Sequence, residues 1–221
     1  MNSLIIGIAG GSGSGKTSVT NRILQSLDTT RVAVIQHDAY YHDTDAVPPG
    51  EVPAMNFDHP DSLETSLLIK NLHDLRKGKG VDIPVYDFTT HRRQTVTRRV
   101  EATEVVIVEG ILIFVSKELR GLMDIRIFID TDSDERVLRR IKRDIKERGR
   151  SVNSIMDQYL STVKPMHLEF VEPSKRWADI IVPRGVENSV AIDMVVTKIK
   201  AMVNQGVRRD MGKLALFLTL L

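Results

Sequence analysis

Short apolar runs, most of them rich in valine and isoleucine, recur along the chain, with longer amphipathic stretches between them. Nearly continuous apolar runs of this kind are typical of strands that are buried on both faces. The runs are Leu4–Ala9, Val32–Gln36, Val105–Val108, Ile125–Ile129 and Ile180–Val182. The pattern therefore predicts five short strands at the centre of the fold.

The stretches between these runs show the periodicity of amphipathic helices. They are Thr17–Leu27, Ser62–Lys77, Asp134–Arg148, Val152–Val171 and Asn188–Val203. Asp61 is a suitable N-cap for the second of these helices, and Gly78 is a suitable stop. Strands that alternate with helices predict an α/β fold with a parallel sheet, whose ligands bind at the carboxyl ends of the strands.

Two segments interrupt this alternation. His42–Pro60 is long, polar and rich in proline, which predicts a surface loop. Val81–Glu101 contains two β-like pieces, Val81–Tyr86 and Thr95–Val100, on either side of a polar turn, which predicts a small hairpin beside the main sheet. Long loops and insertions in compact domains usually serve a function.

The most specific motif lies between the first predicted strand and the first predicted helix. It has the form G-x-x-x-x-G-K-T, a loop whose backbone amides surround phosphate while the helix N-terminus adds positive charge. Lys16 is placed to reach the outer phosphates, and the Thr17 hydroxyl is placed to bind Mg²⁺. The candidate nucleotide-binding residues are Gly10, Gly11, Ser12, Gly13, Ser14, Gly15, Lys16, Thr17 and Ser18. The motif predicts binding of a nucleoside triphosphate.

Two carboxylates follow other predicted strands. Glu109 ends the run Val105–Val108, at the position of an acid that helps to hold Mg²⁺ beside a phosphate loop. The alternative for Glu109 is a solvent-exposed strand end. Asp38 follows Gln36, and it either orients an attacking hydroxyl as a general base or simply opens a turn.

The stretch Asp134–Arg148 and the two residues after it contain six arginines. At helical spacing, Val137 and Ile141 share one face, whereas Arg136 and Arg143 lie opposite. A solvated charged face is the usual interpretation of such a pattern. The number of arginines favours a mobile lid that closes over the transferred phosphate.

Composition limits the class of protein. The 221 residues include no cysteine, which excludes disulfides, thiolate nucleophiles and cysteine-ligated metals. The formal charge of +2 argues against a dedicated nucleic-acid binder. His37 and His42 lack the further ligands of a metal site. The sequence shows no signal peptide and no apolar run long enough to span a membrane, so we expect a cytoplasmic protein.

With these residues assembled, the chain resembles the uridine–cytidine kinase family of P-loop nucleoside kinases, from Ile5 to about Ala201. The resemblance rests on several ordered blocks, which together are far more specific than any one of them. The blocks are GIAGGSGSGKTS, HDAYY, NFDHPDS, PVYDFTTHRR, VEGIL, RRIKRDIKERGR, QYLSTVKPMHLEFVEPSK and ADIIVPRG. The proline-rich stretch Val47–Pro53 departs from the family pattern.

This resemblance implies a P-loop NTPase fold of the nucleoside/nucleotide kinase type, with helices on both faces of the sheet. We expect one kinase domain over residues 1–205, with an inserted hairpin at about 81–101 and a helical lid at about 134–165, then a tail at 206–221. The implied reaction transfers the γ-phosphate of ATP, or of GTP, to the 5′-hydroxyl of uridine or cytidine, with Mg²⁺. The family commonly forms tetramers.

The resemblance also implies roles for individual residues. Asp38, with Lys16, is the implied catalytic pair, and Thr17, Glu109 and Asp38 are the implied metal ligands. Glu187 matches a position near the adenine of ATP. The implied substrate-binding residues are Phe57, Asp58, Tyr86, His91, Arg140, Arg150 and Gln158.

Other functions fit the residues less well. A phosphoribulokinase-like or pantothenate-kinase-like enzyme shares the phosphate loop, but Phe57, Tyr86 and His91 favour a flat heterocycle as substrate. A GTPase switch lacks its N-K-x-D motif here, and an ABC-type ATPase lacks its signature sequence. An RNA-binding role for the arginine-rich helix disagrees with the balanced charge.

Overall fold

The computed structural model describes residues 3–45, 47–48, 50 and 55–204, and its centre is a parallel sheet. The strands are β1 (Leu4–Ala9), β2 (Val32–Gln36), β5 (Val105–Gly110), β6 (Ile125–Asp130) and β7 (Ile180–Pro183). They pair in the order β2–β5–β1–β6–β7, and every neighbouring pair is parallel. The predicted five-stranded parallel α/β fold is therefore confirmed.

Strands β1 and β5 are buried along their whole length, and both are apolar up to Glu109 of β5, because each face of the sheet is covered. Successive side chains of a strand point to opposite faces. Ile5 of β1 belongs to a core cluster that includes residues of α2 (Thr65–Arg76) and α3 (Lys117–Gly121). Its neighbour Ile6 belongs to a second cluster with α1 (Lys16–Leu24) and α8 (Ser189–Asn204). The helices thus lie on both faces.

The insertion forms a separate antiparallel pair. Strand β3 (Val81–Asp87) pairs with β4 (Arg92–Val100), and the register shifts near the end of β3. Strand β4 begins three residues earlier than the sequence pattern predicts. Ile83 and Val100 are buried in the core cluster that contains α2, so the hairpin is anchored to the main body.

The prediction that Asp61 caps α2 is wrong. Residues Pro60–Ser62 form a 3₁₀ turn, and Leu63 is extended and pairs with Tyr41 as an isolated β-bridge. An extended residue cannot lie inside a helix, so α2 begins only at Thr65. The predicted stop is confirmed, since Gly78 follows the helix in a left-handed conformation with φ of 79°.

Two helical segments rise from the carboxyl end of the sheet. Helix α4 (Ser133–Arg148) ends at Gly149, and α5 (Val152–Gln158) begins a longer helical path over residues 152–174, the return helix. The return helix runs three residues beyond the predicted end. Its remaining parts are the π-helical Tyr159–Val163 and His167–Val171, α6 (Lys164–Met166) and α7 (Glu172–Ser174). A proline follows each π-helical segment, and proline donates no backbone hydrogen bond.

The predicted tail and most of the stretch 46–54 lie outside the described residues. Within the described ranges, no helix has both the length and the apolar character required to cross a bilayer.

Candidate active site

The phosphate loop joins β1 to α1 at the carboxyl edge of the sheet. Gly13 and Gly15 have φ of 79° and 90°, which glycine adopts without strain. A Cβ on Gly13 would clash with the backbone oxygen of Arg136, so the loop also packs directly on α4. The loop therefore has its amides and the start of α1 at one end of the candidate site.

The Lys16 side chain lies within the loop. Its ammonium donates to the carbonyl oxygens of Gly10 (3.0 Å) and Gly11 (3.1 Å). Burial lowers the pKa of Lys16 to about 8, although the carboxylates of Asp38 and Glu109 oppose the shift. A charged ammonium is thus held where an anion would enter.

Glu109 is buried and both of its carboxylate oxygens accept hydrogen bonds, so it is not a solvent-exposed strand end. Its carboxylate accepts from the hydroxyls of Thr17 (2.9 Å) and Thr20 (2.8 Å), and from the Gln36 amide at 3.3 Å. Carboxylate and hydroxyl oxygens beside a phosphate site are the donor types that Mg²⁺ prefers. The residues present fit this ion.

Asp38 lies in a 3₁₀ turn, His37–Tyr40, that follows β2. Its Oδ1 atom is buried and has no hydrogen-bond partner in the described part of the chain, so this oxygen does not close the turn. Burial raises the pKa of Asp38, whereas the positive charge of Lys16 opposes the shift. A raised pKa makes the carboxylate a stronger base.

Asp38 opens into a cavity beside the phosphate loop. All seven residues implied as substrate-binding line this cavity together with Asp38, although they come from five separate segments of the chain. The cavity is lined by Ser12, Asp38, Tyr41, Phe57, Asp58, Tyr86, Phe88, His91, Ile111, Arg140, Arg143, Arg148, Arg150 and Gln158.

One wall of the cavity is aromatic. The rings of Phe57 and His91 are stacked, with centroids 4.6 Å apart and planes 19° apart. Tyr41 packs on Tyr86 at 5.1 Å. The hydroxyl of Tyr86 is buried and finds no protein partner among the described residues. Flat faces and an unused polar group suit a planar, polar heterocycle.

Tyr41 and Phe88 were not among the predicted site residues. Phe88 lies in the hairpin turn just after β3, so its only signal in the sequence is that it is aromatic and follows Tyr86 by two positions. Tyr41 has no such signal, since its place depends on the turn that carries Asp38.

His91 is fixed at the tip of the hairpin. It has φ of 58°, and its carbonyl oxygen accepts from the Thr44 hydroxyl at 2.6 Å. Burial lowers the pKa of His91, and the charges of Arg150 and Arg148 lower it further. The imidazole is therefore neutral at pH 7, with one nitrogen that donates and one that accepts.

Asp58 lines the cavity from the segment before α2 and is buried. Burial raises the pKa of Asp58, and the nearby guanidinium of Arg140 partly offsets this effect. A carboxylate of this kind accepts two hydrogen bonds, as vicinal hydroxyls require.

The remaining wall is the charged face of α4, and here a solvated charged face is the wrong interpretation. Arg136 and Arg140 are buried, whereas Leu138 and Ile145 on the apolar face are 63% and 44% exposed. The helix thus turns its guanidiniums toward the phosphate loop. Arg140 donates to Ser12 of that loop at 2.8 Å.

The return helix completes this wall through Gln158. Its Oε1 atom accepts from Arg140 at 2.8 Å and from Arg150 at 2.5 Å. The two arginines are consequently fixed relative to each other at the edge of the cavity.

Some predicted residues lie elsewhere. Glu187 is exposed, 3.5 Å from Arg139, in a loop near α1 rather than in the cavity. Ser18 is an exposed residue of α1. His37 is buried, and His42 is exposed; over the described ranges, no group of three or more His, Cys, Asp or Glu side chains is arranged to hold a metal ion.

Known proteins resemble this chain in sequence and in fold. Residues 5–191 match the model of the phosphoribulokinase / uridine kinase family. The chain is 54% identical over 200 residues to a uridine kinase of Chloroflexus aggregans, covering 90% of this chain and 96% of that protein. It is 50% identical over 203 residues to a uridine kinase of Streptococcus thermophilus, covering 92% and 96%. Among solved structures, phosphoribulokinase from Rhodobacter spheroides shares the fold, with a TM-score of 0.62 at 15% identity over 82% of this chain and 70% of that one.

Proposed function

Because the chain belongs to the phosphoribulokinase / uridine kinase family, we propose that it transfers the γ-phosphate of ATP to the 5′-hydroxyl of uridine and cytidine. One observation carries the proposal. A single cavity places Asp38, whose Oδ1 atom has no partner among the described residues, between a phosphate loop and an aromatic wall with the unused Tyr86 hydroxyl. This arrangement brings a triphosphate and the hydroxyl of a flat nucleoside together.

The phosphate loop binds the donor. Its backbone amides and the N-terminus of α1 surround the phosphates, and the Lys16 ammonium compensates the outer charges. Thr17 and Glu109, with Asp38, would hold Mg²⁺, which neutralises phosphate charge when it is bound. The arginines of α4 exclude water from the transferred group.

Asp38 acts on the acceptor. It orients the 5′-hydroxyl and accepts its proton as the oxygen forms a bond to the γ-phosphorus, while the bond from that phosphorus to the β-phosphate oxygen breaks. The products are the nucleoside monophosphate and ADP. The raised pKa of Asp38 suits this role as a base.

The aromatic wall selects the nucleoside. The base lies against Phe57, and the Tyr86 hydroxyl and the neutral His91 ring hydrogen-bond to its edge. Because imidazole has both a donor and an acceptor nitrogen, one site serves uracil and cytosine. Asp58 binds the ribose hydroxyls, with Arg140, Arg150 and Gln158 around it.

The resemblance supports further parts of the proposal. GTP can replace ATP as the donor, the enzyme works in the cytoplasm in pyrimidine salvage, and it assembles as a homotetramer. In the same account Glu187 lies near the adenine of the donor, beside the nearby guanidinium of Arg139.

A panel of acceptors tests the proposal. Protein and Mg·ATP are incubated with uridine, cytidine, ribulose 5-phosphate or pantothenate, and ADP release is measured. We expect release with the two nucleosides only. Release with ribulose 5-phosphate or pantothenate, and none with either nucleoside, would overturn the assignment.

A further inference from the structure

Asp144 is a buried charge that the proposed reaction does not use directly. It lies on the inward face of α4 and is 0% exposed. A buried carboxylate is stable only when it is paired. The nearest guanidinium nitrogens are at 2.7 Å for Arg143, 3.7 Å for Arg140, 3.7 Å for Arg148 and 3.8 Å for Arg150.

The four guanidiniums around Asp144 all line the cavity. Three of them also have a second contact, which differs from one arginine to the next. These contacts are Ser12 Oγ for Arg140, Gln158 Oε1 for Arg150 and the ring of Phe88 for Arg148. Asp144 therefore lies at the centre of four arginines, three of which are also held by different parts of the cavity.

Arg143 is held most closely. Its Nε and one terminal nitrogen lie 2.8 and 2.7 Å from the same Oδ1 atom of Asp144, which fixes the plane of the guanidinium. Arg143 lines the same cavity as Asp38 and as Ser12 of the phosphate loop. Its guanidinium therefore lies beside the groups that face the acceptor and the donor.

We propose that Asp144 is a positioning residue that holds the lid arginines, chiefly Arg143, where the phosphoryl group passes from donor to acceptor. Guanidiniums packed this closely repel one another, and the central carboxylate keeps them together. The expected effect on turnover rests on the proposed function. The expected effect on phosphate binding does not depend on which acceptor the enzyme uses.

The sign of one measurement separates positioning from simple charge balance. Removing the negative charge of Asp144 makes the site more positive, so electrostatics alone predicts tighter binding of an anion. Positioning predicts the opposite, because arginines that spread apart lose their shared contacts with the phosphates.

The probe is inorganic pyrophosphate, titrated by calorimetry into the full chain. For Asp144→Asn we expect affinity to fall by about fivefold or more, and turnover with uridine to fall by about 10- to 100-fold. The matched control is Asp157→Asn, on the exposed side of the same lid, which changes the net charge equally and should stay within about twofold. Unchanged or tighter pyrophosphate binding by Asp144→Asn would overturn the proposal.

A second pair of variants tests the proposal if Asp144→Asn alone does not fold. Arg143→Gln is compared with Arg143→Gln/Asp144→Asn, which removes both charges of the closest pair. If Asp144 acts through Arg143, the single and the double variant should bind pyrophosphate with affinities that agree within about twofold. A further loss of fivefold or so in the double variant would contradict that route. If wild type binds pyrophosphate but does not phosphorylate uridine, the proposed function fails and the role of Asp144 is still decided.

Discussion

The donor side and the acceptor side of the cavity are built in different ways. Residues 10–17 form the donor side as one continuous piece, whose shape follows from glycines and from the start of α1. The acceptor side is assembled from the turn of Asp38, the segment before α2, the hairpin, α4 and the return helix. One side depends on backbone, and the other depends on many side chains.

This difference predicts different sensitivities to substitution. On the donor side, the Lys16 ammonium is held within the phosphate loop itself, so the arginines of α4 on the neighbouring wall should replace it only in part. On the acceptor side, recognition of the nucleoside is divided among several residues, so substitution of one of them should lower activity less. Nucleoside and nucleotide binding should also respond separately.

The largest expected effect is that of Lys16→Ala. Loss of one preorganised charge contact costs about 10²–10³ in rate, so turnover should nearly vanish. Steady-state kinetics with uridine measure this effect, and circular dichroism checks the fold. Near-normal turnover by a folded variant would contradict the assignment of the phosphate loop.

A smaller and more selective effect is expected from His91→Ala. A site built to hydrogen-bond a base loses affinity when that group is removed, so the KM values for uridine and cytidine should rise by about tenfold. The Kd for ADP should stay within about twofold, because His91 lies on the hairpin, away from the phosphate loop.

The control for His91 is His73→Ala, an exposed histidine of α2, which should leave every constant unchanged. If the KM values of His91→Ala for uridine and cytidine equal those of wild type, His91 is only a structural residue of the hairpin.

The smallest effect is a pH dependence confined to the donor side. Because burial lowers the pKa of Lys16 to about 8, the free protein loses this charge as pH rises through that value. The affinity for ADP should be constant below pH 8 and fall by up to about tenfold per unit above it. Lys16→Arg, which keeps its charge, should show no such fall. A flat wild-type profile to pH 9.5 or so would contradict the lowered pKa.

The sequence predicted the position of the phosphate loop and the central sheet well, for a physical reason. Strands buried on both faces, such as β1 and the Val105–Val108 part of β5, are nearly continuously apolar, and a phosphate loop needs glycines at fixed spacing. Both requirements are local, so they are written in consecutive residues.

The orientation of α4 could not be obtained in this way. Its apolar face predicts burial, yet Leu138 is exposed and Arg140 is buried because the helix faces a charged cavity rather than the core. The predicted N-cap of α2 was wrong for a similar reason. The β-bridge between Tyr41 and Leu63 keeps Leu63 extended, so the helix begins only at Thr65. Contacts between distant segments decide both features.

The grouping of Phe57, Asp58, Tyr86 and His91 was expected from family resemblance, not from spacing. Their common cavity is now a structural observation, whereas their individual roles remain predictions. The turn that carries Asp38 joins them to the phosphate loop.

Asp38→Asn tests the central claim most directly, since this carboxylate lies between the two sides. We expect the Kd for ATP to remain within about twofold of wild type while turnover at saturating uridine falls by about 100-fold or more. Asp193→Asn, an exposed position of α8, is the matched control and should keep full turnover. Unchanged turnover in Asp38→Asn would remove this residue from the mechanism, and a parallel loss of ATP binding would contradict the separation of donor and acceptor sides.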